Sequence, residues 1–266
     1  MILGLKLLLV PTLIGGITLS GRRWGPAVAG WLSAFPVVSG PILFFVAVEQ
    51  GPAFAAAATE GTFSAMPANL AFGIGYAWAA TKHSWPVSLG VAFFVYLLAA
   101  AAMVWTAPSL PWSALMVLAA LLIAPRLYPA VPSTVPKIVV ASTGSDLPLR
   151  MATGAVLVLL VTHFAATLGP RASGVAAMFP VMASVLVVFS HRHAGAAFAI
   201  RLLKGMVLGF YSFGTFCVVL AVLLPVCRVG PAFAGSLGAA AFVLAASKVR
   251  LGRGRRVVSE SRHRAD

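Results

Sequence analysis

Long apolar runs, separated by short polar, glycine or proline segments, occupy nearly the whole chain. One helical crossing of a bilayer needs about 20 such residues. Runs of about this length lie at 2–20, 27–48, 52–80, 86–106, 108–124, 148–168, 172–190, 195–225 and 231–247. Four prolines between positions 125 and 136, followed by a polar stretch at 142–146, separate the fifth run from the sixth. The pattern therefore predicts an all-α polytopic membrane protein with about nine transmembrane helices.

The composition agrees with a chain that lies almost entirely in lipid. Hydrophobic residues make up 61% of the 266 positions and charged residues only 9%, against about a quarter charged in soluble domains. So little charge cannot cover a surface in water, which excludes an ordinary soluble enzyme. The 19 Lys and Arg outnumber the 5 Asp and Glu, and we assign this excess to membrane topology and anionic headgroups. The predicted partner is the lipid bilayer, not nucleic acid.

The basic residues predict the orientation of the chain. With nine spans, the loops on the side of the C-terminal tail hold Arg22 and Arg23, Lys82, Arg126 and Arg192. Cytoplasmic loops of membrane proteins carry an excess of Lys and Arg. We therefore expect the C-terminus in the cytoplasm and the N-terminus outside, in a bacterial-type inner (plasma) membrane.

An internal repeat becomes visible when the sequence is shifted by 144 positions. The shift aligns Gly25-Pro26 with Gly169-Pro170, Phe35-Pro36 with Phe179-Pro180, Gly51 with Gly195, Gly61 with Gly205, and Phe72 with Phe216. Five predicted crossings separate equivalent spans, and an odd number reverses the direction of the chain. We therefore expect two inverted four-helix repeats, 1–106 and 148–248. A linking transmembrane helix and Pro-rich loop at 107–147 joins them, and a basic cytoplasmic tail follows at 249–266.

A short motif is shared by the two halves. It reads Gly30, Phe35-Pro36 and Glu49-Gln50-Gly51 in the first half, and Gly174, Phe179-Pro180 and Gly195 in the second, with His193 in place of Glu49. In this motif the chain resembles the small four-span GlpM-like membrane proteins, fused as two inverted copies. The resemblance implies a fold rather than a substrate, and it does not carry a role of Glu49 into the second half.

Two prolines mark a candidate site inside the membrane. Pro36 and Pro180 fall near the middle of the second and seventh predicted spans. Proline removes a backbone hydrogen bond and crowds the preceding turn, so the helix kinks or breaks. Breaks at equivalent positions of inverted halves indicate a transport site, although a plain packing kink gives the same sequence pattern. The polar candidates for such a site are Ser39, Ser184 and Asn69.

Three ionisable residues inside predicted spans are further candidates, because charges at membrane depth are costly and commonly functional. Glu60 lies in the third span, and Lys204 occupies its equivalent position in the eighth. Glu60 could carry a coupling proton or form a structural ion pair. Arg201 and Lys204 lie three residues apart on one helical face. They could attract an anionic group or extend their charged ends to the membrane surface.

The remaining motifs constrain the function. The sequence has no nucleotide-binding loop, hydrolase motif or zinc-protease motif, and we predict no enzyme activity, no metal and no cofactor. The repeats and paired prolines favour a secondary transporter or flippase that moves a small solute by alternating access. Anionic solutes, lipid-linked solutes and proton coupling are open options. The alternative is a non-transporting membrane subunit that organises an envelope or polysaccharide assembly. A homo-oligomer is also left open.

Overall fold

A computed structural model describes residues 39–131 and 169–263 without interruption, together with 12, 15–20, 23–36, 148–149, 151–153 and 155–156. Side chains are described as far as Ser247. Over these residues the chain forms helices, turns and short connections, and no strand. The first predicted span (2–20), the sixth (148–168) and the Pro-rich loop lie largely outside the described residues.

The described chain folds into a series of helices. They are α1 (Pro26–Ser33), α2 (Ser39–Gln50), α3 (Pro52–Ser64), α4 (Met66–Ala80), α5 (Trp85–Thr106), α6 (Leu110–Leu127), α7 (Pro170–Ala177), α8 (Val181–Ala194), α9 (Ala196–Leu223) and α10 (Val229–His263). Proline stands in the first turn of α1 and of α3 to α7, where its missing N–H is not needed. α10 continues through most of the segment 249–266, which the sequence predicts as a separate tail.

Two of the predicted spans are interrupted near their centres. The non-helical residues 34–36 follow α1, and residues 178–180 separate α7 from α8. The cause is local, because neither Pro36 nor Pro180 can donate the hydrogen bond that a continuous helix requires. The interruption predicted from each Phe-Pro pair is therefore observed.

Some described helices are long and apolar enough to cross a membrane. They are Trp85–Thr106, Leu110–Leu127, Pro170–Ala194, Ala196–Leu223 and Val229–Ser247, and the chain is therefore a multi-pass membrane protein. The segments α1–α2 and α3–α4 consist of pieces that are each shorter than a full crossing. The fifth span, predicted at 108–124, is observed at Leu110–Leu127, and the third, predicted at 52–80, is divided at Ala65.

The segment α7–α8 and helix α9 form the centre of the bundle. In their most apolar stretches, 78% and 61% of the residues are buried, against 22% in α5, α6 and α10. Large apolar side chains on these outer helices, including Phe94, Trp112 and Phe242, are exposed. A surface of that kind is stable against lipid rather than water. We conclude that α5, α6 and α10 form the lipid-facing rim.

The backbones of the two halves approach closely at glycines. A methyl group added at Gly30 on α1 would overlap the carbonyl oxygen of Leu202 on α9. A methyl group at Gly174 on α7 would overlap the carbonyl oxygen of Ala58 on α3. Gly174 follows Gly30 by 144 residues, and Leu202 follows Ala58 by the same number. Each half therefore inserts a glycine into the other half in an equivalent way.

A second pair of glycines repeats this exchange. Gly61 on α3 lies against the backbone of Arg171, and Gly205 on α9 lies against the backbone of Ala27. The residues of one contact are again related to those of the other by the shift of 144 residues. Contacts that exchange partners in this manner are those that two copies make about a two-fold axis.

Polar contacts identify two ends of the bundle. At one end, Arg171 Nη1 donates a hydrogen bond to the carbonyl of Ala107 at 2.6 Å. At the other, the hydroxyl of Tyr76 lies 3.0 Å from Nδ1 of His191. We refer to them as the Arg171 end and the His191 end. The loops after α2, α5 and α9 belong to the first, and those after α4, α6 and α8 to the second.

Candidate functional site

The two interrupted segments meet at a cavity between the helices. Its volume is about 50 Å³, which is enough for a few water molecules. Its lining comes from both interruptions and from α4 and α9, and includes Ser33, Phe35, Ser39, Asn69, Met178, Pro180, Met206 and Phe213. Three of the predicted site residues, Ser39, Asn69 and Pro180, therefore share one cavity.

Polar side chains of the first half stabilise the interruption in the second. Ser39 Oγ donates a hydrogen bond to the carbonyl of Ala177 at 3.1 Å, and Asn69 Nδ2 donates to the carbonyl of Met178 at 3.0 Å. The end of α7 leaves these carbonyls without helical partners. Free carbonyls at membrane depth need a partner within the protein or a watery cavity. Ser39 and Asn69 are buried and meet that need.

The equivalent positions in the second half carry apolar side chains. Ala183 follows Ser39 by 144 residues, Phe213 follows Asn69 by the same number, and all four line the cavity. The hydroxyl of Ser184 donates within its own segment, to the carbonyl three residues earlier at 2.9 Å. The polar donors of the cavity are thus supplied unequally by the two halves.

The cavity presents a mixture of polar and apolar groups. Its described lining offers hydroxyl and amide groups, methionine thioethers and phenylalanine rings, with no charged side chain. Such groups make dispersion contacts and hydrogen bonds, and none of those in the described lining titrates near neutral pH. In the part of the chain that the structure describes, no group of three His, Cys, Asp or Glu could hold a metal ion.

Glu60 lies near the Arg171 end and does not line the cavity. Its Oε2 is 3.4 Å from Nη2 of Arg171, and the two side chains are about one-third and two-fifths exposed. It also lines an open groove of about 810 Å³. The groove lies between the first half of α3, from Pro52 to Glu60, and the segment 224–228. The ion pair is one of the two roles that the sequence leaves open for Glu60. Arg171 could not be identified as the partner from sequence, because only the packing of α7 on α3 brings them together.

Arg201 and Lys204 lie on α9, toward the His191 end, and line neither the cavity nor the groove. Lys204 is exposed. The Nη2 atom of Arg201 is buried and has no hydrogen-bond partner within the described chain. A buried guanidinium N–H without an acceptor is costly, and the described residues supply none for this atom.

Two polar contacts between the halves could not be predicted from the sequence. Thr62 Oγ1 donates a hydrogen bond to the carbonyl of Gly174 at 2.9 Å, and the hydroxyl of Tyr76 approaches the ring of His191. The available signal is a polar side chain within an apolar run. That signal names the residue but not its partner, which depends on how the helices cross.

The comparisons with known proteins return nothing for this chain: no protein-family model, no curated protein and no solved structure matches it. The resemblance to the GlpM-like membrane proteins therefore stays a prediction.

Proposed function

We propose that this protein is a secondary transporter or flippase that moves a small solute by alternating access. The observation that carries the proposal is the meeting of two interrupted segments, one from each half, at a shared cavity. Binding sites formed by discontinuous helices from both repeats are common in secondary transporters. The solute would bind beside Ser39 and Asn69 after motion of the helices has widened the cavity beyond its present volume of about 50 Å³.

The proposal takes the two halves to be inverted repeats within nine crossings. Support comes from the contacts that exchange partners by a shift of 144 residues, such as Gly30 with Leu202 and Gly174 with Ala58. It also comes from the two equivalent interruptions. Five crossings between equivalent spans would set the copies antiparallel, with a pseudo-two-fold axis in the membrane plane.

The proposed orientation turns the His191 end toward the cytoplasm. Described basic residues in or near its loops include Lys82, Arg126 and Arg192. The Arg171 end holds Glu49 and Glu60, the acids whose side chains the structure describes, with Arg171 and Arg228. The excess of positive charge at the His191 end supports this orientation, with the C-terminus in the cytoplasm and the N-terminus outside a bacterial-type inner membrane.

Alternating access would proceed by the motion of two helix pairs. Close backbone contact at glycines joins α1 to α9 and α7 to α3. We expect each pair to move as a unit, because the backbones touch directly and no flexible side chain lies between them. The cavity lies between the two pairs and would change shape as they tilt. This motion would open the cavity first to one end of the bundle and then to the other.

The alternative remains a non-transporting subunit that organises an envelope or polysaccharide assembly. A filled, dry junction at Pro36 and Pro180 would favour such a structural role. The observed cavity, with Ser39 and Asn69 in its wall, favours transport instead. The role of Glu60 as a coupling acid stays a prediction, since its side chain lies at the ion pair with Arg171.

Cysteine labelling in proteoliposomes tests the proposal. Ser39→Cys would be introduced into a chain whose own Cys217 and Cys227 are replaced by alanine. We expect a small, membrane-impermeant thiol reagent to label this cysteine from either side of the vesicle, because the cavity opens alternately. Ser184→Cys serves as the control, since Ser184 is buried and does not line the cavity. Labelling of Ser39→Cys from one side only, or from neither, would contradict alternating access.

A further inference from the structure

The groove at the Arg171 end has an equivalent set of positions at the His191 end, and the two sets differ in charge. The groove is lined by Ala57, Glu60, Val226, Cys227 and Arg228. The positions related to these by 144 residues are Arg201, Lys204, Lys82, His83 and Ser84. One acid and one base at the Arg171 end thus correspond to three permanent positive charges at the other.

The packing of the helices supports this correspondence. Gly61, next to Glu60, lies against Arg171, and Gly205, next to Lys204, lies against Ala27. α9 also packs on α4, whose following turn carries Lys82. The basic residues Lys82, Arg201 and Lys204, which we call the basic triad, are therefore placed at one end of the bundle.

No acidic residue whose side chain the structure describes pairs with the basic triad. The ion pair of Glu60 with Arg171 has no counterpart there, because Ala27 stands where Arg171 would be. Among the residues whose side chains the structure describes, the acids Glu49 and Glu60 both belong to the Arg171 end. The second half therefore has Lys204, a positive charge, at the place where the first half has the negative charge of Glu60.

The orphaned atom of Arg201 lies within this arrangement. Its Nη2 is buried without an acceptor among the described residues, while Lys204 and Lys82 are exposed. Buried guanidinium groups are stabilised by charge-assisted hydrogen bonds to anions, and phosphate matches the forked geometry of arginine. A guanidinium donor without a described acceptor, at the same end of the bundle as two lysines, is a donor set suited to a phosphate group.

We propose that the basic triad binds the phosphate group of an anionic ligand at the His191 end. The headgroup of an anionic phospholipid and a free phosphate compound share this chemistry. Basic pockets between helices commonly hold anionic headgroups on the cytoplasmic side. The site rests on the two-fold relation of the halves and not on transport, so it can be measured as binding alone.

Native mass spectrometry of the purified full chain in detergent tests the site. The probes are phosphatidylglycerol, phosphatidylcholine as the neutral lipid control, and inorganic phosphate as a competitor. We expect the wild type to retain phosphatidylglycerol in preference to phosphatidylcholine. Arg201→Gln with Lys204→Gln should weaken this retention by more than about tenfold, because each surface charge contributes to headgroup attraction. Competition by inorganic phosphate would assign the site to phosphate itself, and its failure would assign it to the lipid headgroup.

A matched control removes the same charge elsewhere. Arg126→Gln with Arg228→Gln deletes two positive charges outside the basic triad, and we expect retention to stay at the wild-type level. Equal retention by the wild type and the Arg201→Gln, Lys204→Gln variant would overturn the proposal. So would equal losses in the variant and its control, since these would indicate general electrostatics.

Lys82→Gln keeps the proposal testable if the Arg201 variant fails to fold. Lys82 is exposed in the turn after α4, so its replacement should leave thermal unfolding unchanged. We expect lipid retention to fall by about fivefold. A folded Lys82→Gln protein that retains lipid like the wild type would overturn the assignment of the basic triad.

Discussion

Glu60 and Lys204 illustrate how the surroundings decide the role of a single charged residue. They occupy equivalent positions and carry opposite charges. Glu60 lies 3.4 Å from Arg171, whereas Lys204 lies on a helix that packs against Ala27 at the corresponding place. The first charge therefore has a partner from the other half, and the second faces a position that offers none.

Charge exchange tests the pair of Glu60 and Arg171. Each single reversal, Glu60→Arg or Arg171→Glu, should lower stability by about 1 kcal/mol, because like charges then meet at a partly exposed position. The double exchange should recover part of that loss. Recovery will be incomplete, since Arg171 also donates to the carbonyl of Ala107. The measurement is thermal unfolding in detergent.

Glu49→Arg provides the control for this cycle. Glu49 is exposed in the last turn of α2, and its reversal should leave the melting temperature nearly unchanged. Failure of the double exchange to recover any stability would show that the two charges act separately.

At the scale of helices, the sequence predicts features that have a local cause. Pro36 and Pro180 interrupt their segments because proline lacks a backbone N–H donor and crowds the preceding turn. The third span is divided at Ala65, just before Pro67. Pro67 itself lies in the first turn of α4, where proline is tolerated. The packing partners of each helix cannot be predicted in this way, because they depend on side chains from segments far apart in the chain.

The close contacts at glycines give a prediction about helix packing. Gly30→Ala and Gly174→Ala should each destabilise the protein by about 1–3 kcal/mol, because the added methyl overlaps a backbone carbonyl that cannot rotate away. Thermal unfolding measures the effect. Because the two contacts are equivalent, the two substitutions should have similar effects.

Gly90→Ala and Gly238→Ala are the matched controls. Both glycines lie within helices, α5 and α10, and a methyl group at either would meet no atom within 4 Å. Alanine favours helices over glycine by about 1 kcal/mol, so these variants should be as stable as the wild type or slightly more so. If all four substitutions behaved alike, close backbone packing would not be the reason for Gly30 and Gly174.

For the whole molecule, composition alone is enough to predict a multi-pass membrane protein of helices. The exposed apolar residues of α5, α6 and α10 agree with that prediction. The sequence also suggests which positions correspond, through the shift of 144 residues. It does not reveal that α1 packs mainly on α9 and α7 on α3, because tertiary pairing depends on shape as well as on pattern.

The predicted topology can be tested at the chain ends. Nine crossings place the two termini in different compartments, with the C-terminus in the cytoplasm. Single cysteines added at each end should react with an impermeant reagent from opposite sides of spheroplasts. A cysteine at Lys82 should match the C-terminal one, and a cysteine at Arg228 the N-terminal one. Reaction of both termini from the same side would contradict the nine-crossing count and the antiparallel halves.

The exchanged glycine contacts also make each half self-complementary. A surface that presents Gly30 to Leu202, while Ala58 receives Gly174, could be formed by two identical four-helix subunits inserted in opposite directions. Such subunits would need to enter the membrane in both orientations and in equal amounts. In the proposed inverted arrangement, a connection containing a single crossing, such as α6, would remove that requirement by fixing the stoichiometry and the relative direction in one polypeptide. Once they are joined, the halves are free to diverge, and one can gain acids where the other gains bases.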